Sequence, residues 1–172
     1  LPESTRRVCL LTGPVRSGKT TRLIRLLSGI REVEGFLTPD QNGLRHLLDL
    51  KTMARHPFQV HSGPIDQRLD IGPFSFTLEA FERMHQLLRN ALIHRPPLLV
   101  VDEIGPLELQ GQGVEPVFSE VWRALEQARW PGTLLVVVRE SLVSRFLEHY
   151  RCPLATILKL ADLDKFCNQF SN

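Results

Sequence analysis

The sequence is poor in cysteine, in charge of one sign and in long apolar runs, and each scarcity removes a class of protein. Three cysteines in 172 residues, Cys9, Cys152 and Cys167, are odd in number, far apart and without a Cys-x-x-Cys pair. That argues against a disulfide framework or a zinc site and leads us to expect a reducing, cytoplasmic setting. The longest apolar stretches, Leu98 to Val101 and Leu134 to Val138, are the size of strands, so no membrane partner is expected. Lys and Arg number 21 against 19 Asp and Glu, a formal charge of +2. A nucleic-acid partner is disfavoured, because Arg6, Arg7, Arg22 and Arg25 lack the dense clustering and interleaved aromatics of such a surface. The six histidines lack metal-ligand spacing such as His-Glu-x-x-His. The leading residues Leu1 to Arg7 hold no apolar core of a secretory leader, and there is no internal repeat or low-complexity tract.

What is present is a chain with 42% hydrophobic and 23% charged residues, enough to bury one substantial core. A single domain over residues 1–172 and a monomer are the expectation. Apolar strands are expected at Val8 to Leu11, Val33 to Thr38, Leu98 to Val101 and Thr133 to Val138, with a last one at Ala155 to Leu160. Between them run helices: about Lys19 to Ser28, then a long one capped by Thr77 and stopped by Pro96-Pro97. A third spans Pro116 to Ala128, and a fourth is capped by Ser141. Asn42-Gly43 marks a hairpin, with Leu44 to Leu50 and Met53 to Val60 as paired strands; His61 to Pro73 reads as loop with a short edge strand at Leu69 to Ile71. Strands alternating with helices of this size predict an α/β fold of three layers, a mostly parallel sheet with helices on both faces and an antiparallel side ribbon.

Between the first strand and the first helix lies Gly13-Pro14-Val15-Arg16-Ser17-Gly18-Lys19-Thr20, a complete P-loop (Walker A). Small residues let the backbone curl so that successive N–H groups face phosphate oxygens, and the helix that follows adds its N-terminal partial charge. These residues, with Thr21 beside them, are the candidate nucleotide contacts. Lys19 would reach the β- and γ-phosphates and act in catalysis, and Thr20 would offer its hydroxyl to Mg²⁺. Nucleoside triphosphates, ATP and GTP among them, are therefore the expected ligands.

The second constellation ends the strand Leu98-Leu99-Val100-Val101-Asp102-Glu103 (Walker B). Ligands of open parallel sheets sit outside the carboxyl ends of the strands, where the P-loop also emerges. Asp102 suits Mg²⁺, directly or through a bound water, and Glu103 suits the orientation and deprotonation of an attacking water. Arg139 follows the strand Leu134 to Val138 at the same edge and is a candidate to neutralise γ-phosphate charge; Arg16 is a second, or else points to solvent. Glu108 and Glu140 lie near this edge as solvated acids.

Taken together, the P-loop, Gly35-Phe36-Leu37-Thr38-Pro39, Leu48-Asp49-Leu50, Leu78-Glu79-Ala80-Phe81 and Asp102-Glu103-Ile104-Gly105-Pro106-Leu107-Glu108-Leu109 resemble the cancer-related nucleoside-triphosphatase family across most of the chain. The resemblance implies a small RecA-like P-loop domain that hydrolyses nucleoside triphosphates with loose base preference, using Mg²⁺. It supports Gly13, Gly18, Lys19 and Thr20 as nucleotide contacts, Asp102 for Mg²⁺ and Glu103 as catalytic base. Two other readings share the loop: a nucleotide or small-molecule kinase, marked by an acceptor pocket, and a slow nucleotide-dependent switch.

Overall fold

The computed structural model describes residues 7–127, 129–152 and 155–171; Arg6, the leading segment and Ala128, all named above, lie outside them. In chain order the elements are β1 (Arg7–Leu11), α1 (Lys19–Leu27), β2 (Val33–Leu37), β3 (Asp40–Gln41), β4 (Leu44–Asp49), β5 (Arg55–Pro57), β6 (Gln59–Val60), β7 (Arg68–Ile71) and β8 (Phe74–Thr77). They continue as α2 (Leu78–His94), β9 (Leu98–Ile104), α3 (Val117–Glu126), β10 (Thr133–Val138), α4 (Val143–His149), β11 (Thr156–Leu158) and α5 (Leu163–Cys167).

The fully apolar strands lie centrally because only a strand covered on both faces can be apolar at every position. The main sheet runs β11-β1-β10-β9-β2-β4-β3, with β5 on β4; the pairs from β11 to β2 are parallel, and those made by β4 are antiparallel. Alternation along each strand divides the core. Cys9, Leu11, Val100 and Val137 face α1 and α5, where Leu23, Leu27, Leu163 and Phe166 cover them. Leu10, Leu99, Val101 and Val136 face the opposite layer, where Met84 and Leu88 of α2, Phe118 and Trp122 of α3 and Phe146 of α4 are buried. Three layers result, an α/β fold with its antiparallel ribbon at one edge.

Two local features set the geometry. Gly35 of β2 adopts φ +104, and a Cβ there would run into the carbonyl of Val100, so β2 approaches β9 closely only because position 35 carries no side chain. Thr77 caps α2 by accepting a hydrogen bond from the Ala80 N–H at 3.3 Å; at the other end Arg95 turns left-handed ahead of Pro96-Pro97.

The structure departs from the sequence reading in three places. Met53 to Val60 is not one strand: β5 stays on β4, whereas β6 leaves to pair with β8 in a second, three-stranded antiparallel sheet ordered β6-β8-β7. The partner strand β8, Phe-Ser-Phe-Thr, is hidden in the sequence because it runs straight into the α2 cap. Ser141 does not cap α4; it lies in a single 3₁₀ turn, and Leu142 holds the cap position with no side-chain bond.

Candidate functional site

The loop from Thr12 to Gly18 leaves the carboxyl end of β1, where the Thr12 N–H donates to the Leu158 carbonyl at 3.0 Å and ties the loop's base to β11. Gly18 takes a left-handed conformation, φ 82, as the cap residue of α1, which turns the chain so that the first helical N–H groups face the loop. Lys19 bends back over the loop, its Nζ donating to the carbonyls of Gly13 at 3.0 Å and Pro14 at 2.7 Å and to Ser17 Oγ at 3.2 Å. An ammonium held over the loop beside the N-terminus of α1 puts positive charge where a phosphate would sit. Pro14, Val15, Arg16 and Thr21 are exposed around the rim, and Arg16 projects outward.

Strand register brings the acidic strand to this loop. Leu11 of β1 is level with Val137 of β10, which is level with Asp102 of β9, so Asp102 stands two strands from the mouth of the loop, roughly 10 Å across the sheet. The Thr20 hydroxyl closes the gap, donating to Asp102 Oδ2 at 3.0 Å, and the Thr38 N–H donates to the same oxygen at 3.1 Å. Asp102 is 3% exposed. Its carboxyl is pushed up to about 6, first by burial and then by the neighbouring Glu103, against the pull of its two hydrogen bonds. A site that raises a carboxylate in this way gains from a cation. Thr20 Oγ1 and Asp102 Oδ2 are hard oxygens of the kind Mg²⁺ accepts. No group of three or more His, Cys, Asp or Glu with metal-holding geometry occurs among the described residues. A cation bound there would thus complete its shell with water and phosphate oxygens, as Mg²⁺ does.

Glu103 falls at a register shift: Val137 opposes Asp102 and Val138 opposes Ile104, leaving Glu103 as the extra residue. Such a bulge re-aims side chains at a strand end. Here it brings both consecutive carboxylates to one edge instead of sending them to opposite faces. Arg139, at the end of β10, donates from Nε at 3.0 Å and from an Nη at 2.9 Å to Glu103 Oε1. Arg45 of β4 lies 3.8 Å from the same oxygen. The structure therefore places Arg139 beside the carboxylate, between the strands that carry the P-loop and Glu103.

Two residues of the site differ from expectation or were missed. Glu108 is not solvated but buried, accepting from the Gly105 N–H at 2.9 Å. Burial raises its carboxyl to about 7, partly offset by backbone N–H donors. The acidic spacing Asp-Glu-Ile-Gly-x-x-Glu was the signal available for it. Arg45 had none, since an arginine in a ribbon strand is ordinary until pairing carries it to the sheet edge. Glu140 is exposed, in keeping with a solvated acid.

Beyond Glu103 opens a cleft of about 370 Å³. Its polar lining includes Thr38, Arg45, Asp102, Glu103, Glu108, Gln110 and Arg139, and its apolar lining includes Phe58, Phe74, Phe76, Phe81 and Met84. The second sheet, in which only β7 matches an expected edge strand, supplies much of it.

A protein-family profile described as NTPase matches residues 8–165. Among solved structures, the crystal structure of THEP1 from the hyperthermophile Aquifex aeolicus resembles this chain with a TM-score of 0.66 at 17% identity, covering 95% of each chain. It shares the α/β P-loop fold. No curated protein matches the chain.

Proposed function

The chain belongs to the NTPase family, and from that premise we propose that it is a Mg²⁺-dependent nucleoside-triphosphatase of the cancer-related type. In this reading it converts triphosphate to diphosphate and phosphate with broad tolerance of the base. One observation carries the reading: the Thr20 hydroxyl bonds Asp102 at 3.0 Å, which joins the P-loop to the acidic strand and puts Glu103 one residue from the junction.

The steps follow from the side chains. The backbone N–H groups from Gly13 to Thr20 and the N-terminus of α1 cradle the phosphates. Lys19, now bonded to loop carbonyls, exchanges those partners for β- and γ-phosphate oxygens. Thr20 and Asp102 would hold Mg²⁺, which would supply charge neutralisation at the phosphates. Glu103 orients a water at its carboxylate and takes its proton, and the leaving diphosphate departs on the side of the loop. Arg139 steadies Glu103 through two N–H donors and presents positive charge where the transferring group gathers negative charge. Broad base tolerance is what the family resemblance implies; in this reading the phosphates, common to every nucleotide, provide the grip.

Phosphate release with ATP, GTP, CTP and UTP, with and without Mg²⁺, tests the reading. Glu103→Gln is expected to lower turnover by about 10²- to 10⁴-fold while nucleotide binding stays measurable. Turnover equal to that of the unaltered protein would remove Glu103 from the reaction.

A further inference from the structure

We propose that the cleft beside Glu103 binds a second substrate, a small uncharged molecule carrying an aromatic ring and a free hydroxyl, and that the enzyme transfers the γ-phosphoryl group to that hydroxyl. The proposal rests on the triphosphatase reading for the placement of the nucleotide and extends it to an acceptor other than water.

Position is the first argument. Asp102, bonded to Thr20 of the P-loop, also lines the cleft, as does Glu103. The cleft therefore begins where the terminal phosphate ends. In-line displacement puts the attacking oxygen opposite the leaving group. The base belongs to the leaving diphosphate, so a cavity walled by the catalytic carboxylate lies on the attacker's side and away from the base.

Lining is the second argument. Water needs only a polar niche of its own size, yet five phenylalanines share the cleft lining with Glu103. Phe58 and Phe76 stand 4.7 Å apart between ring centroids, Phe58 and Phe81 5.3 Å, and Phe74 and Phe76 6.5 Å. Phe74 is 50% exposed, an apolar ring left at the rim of a concave site. At about 370 Å³ the cleft suits a single ring or a nucleoside-sized body, near the lower end of small-ligand sites. Rings packed edge to face and tilted offer both faces and edges to another ring.

Charge is the third argument. Among the described lining residues the cations are Arg45 and Arg139, and both are directed at Glu103. A phosphorylated acceptor such as a nucleoside monophosphate would need a cation of its own at the far end. The remaining polar groups of the lining include Gln110 and the buried Glu108, which can hydrogen-bond a neutral polar edge but supply no positive charge for a second phosphate.

The reaction balances. The acceptor oxygen forms a bond to the γ-phosphorus as its proton passes to the Glu103 carboxylate. The bond between that phosphorus and the β,γ-bridging oxygen breaks, and its electron pair leaves with the nucleoside diphosphate. Products are a phosphate monoester and a diphosphate.

The test uses the whole chain with Mg²⁺ and ATP labelled at the γ-phosphate, in the presence of 2-phenylethanol or thymidine as probes. Labelled probe ester is expected to form and to saturate with probe concentration. Phe74→Ala, at a half-exposed position, is expected to lower the ratio of labelled ester to free phosphate by about three- to tenfold. Phosphate release with no labelled ester overturns the proposal and leaves the triphosphatase standing. Labelled ester without phosphate release in the absence of probe overturns the triphosphatase and keeps the acceptor site. Competition of the probes with ATP, without labelled ester, assigns the cleft to the base and overturns the proposal; absence of both products overturns both readings.

Discussion

Glu103 and Glu108 line the same cleft but are held differently. Glu103 is paired with Arg139 and faces Arg45, whereas Glu108 accepts from the Gly105 N–H and is buried. On the proposed mechanism, Arg139→Ala is expected to lower kcat by about tenfold or more by freeing Glu103. Arg139→Lys should be intermediate, since it keeps the charge without the two-point hold. The thermal midpoint should hardly move, because an ion pair with side chains this exposed contributes little to folding. Steady-state phosphate release beside a melting curve separates these effects. Glu108 is expected to act on stability. Its folded carboxyl, near 7 rather than the ordinary 4.5, holds a proton across a pH window in which the unfolded chain has lost it. Stability from this group is thus complete below about pH 4.5 and is lost as pH rises through 7, an effect of up to about 3 kcal/mol. Urea unfolding from pH 5 to 8 should show this decline, and Glu108→Gln should make it shallower, leaving the part that Asp102, raised to about 6, contributes over the same range.

At the scale of elements, β8 and α2 join the ribbon side of the molecule to its core. Thr77 ends one and caps the other, so Thr77→Ala is expected to cost about 1 kcal/mol. That would appear as a lower urea midpoint at constant slope, with nucleotide affinity unchanged. The contrast between this region and the P-loop explains what could be read from sequence. β1, α1, β9 and β10 are legible because their apolar period runs unbroken and because the glycines and Lys19 of the loop are demanded by phosphate geometry. Register is not a local property. Nothing in Leu98 to Glu103 signals that Val138 will pair with Ile104 and leave Glu103 as the bulged residue, and nothing in Leu44 to Asp49 signals that Arg45 will reach it. The edge strand expected at Leu69 to Ile71 is present as β7, but its hairpin partner β8 was hidden for another reason. Gly72-Pro73 reads as loop punctuation, and the four residues of β8 are too few to establish a period before the helix begins.

For the whole molecule, the site spans the two layers on either side of the sheet. Lys19 and Thr20 belong to α1, on the face that α5 also covers and to which Arg22 is tied through Asp164. The cleft opens on the other face, among residues of α2 and the small second sheet. Asp102, at the sheet edge, is in contact with both. A triphosphate with Mg²⁺ bound in the proposed manner would join the loop, α1 and β9 only in the folded chain, and so should stabilise it by mass action. A non-hydrolysable triphosphate at a hundred times its dissociation constant is expected to add about 2.7 kcal/mol, a rise of roughly 5–10 °C in thermal midpoint for a chain of this size. The rise should shrink when Mg²⁺ is chelated, because burial then leaves the phosphates facing an ionised Asp102 with no cation between them. It should vanish in Lys19→Ala. A midpoint that rises equally with and without Mg²⁺ would mean that Thr20 and Asp102 hold no metal with the nucleotide, and that their 3.0 Å contact serves only to fasten the loop to the sheet.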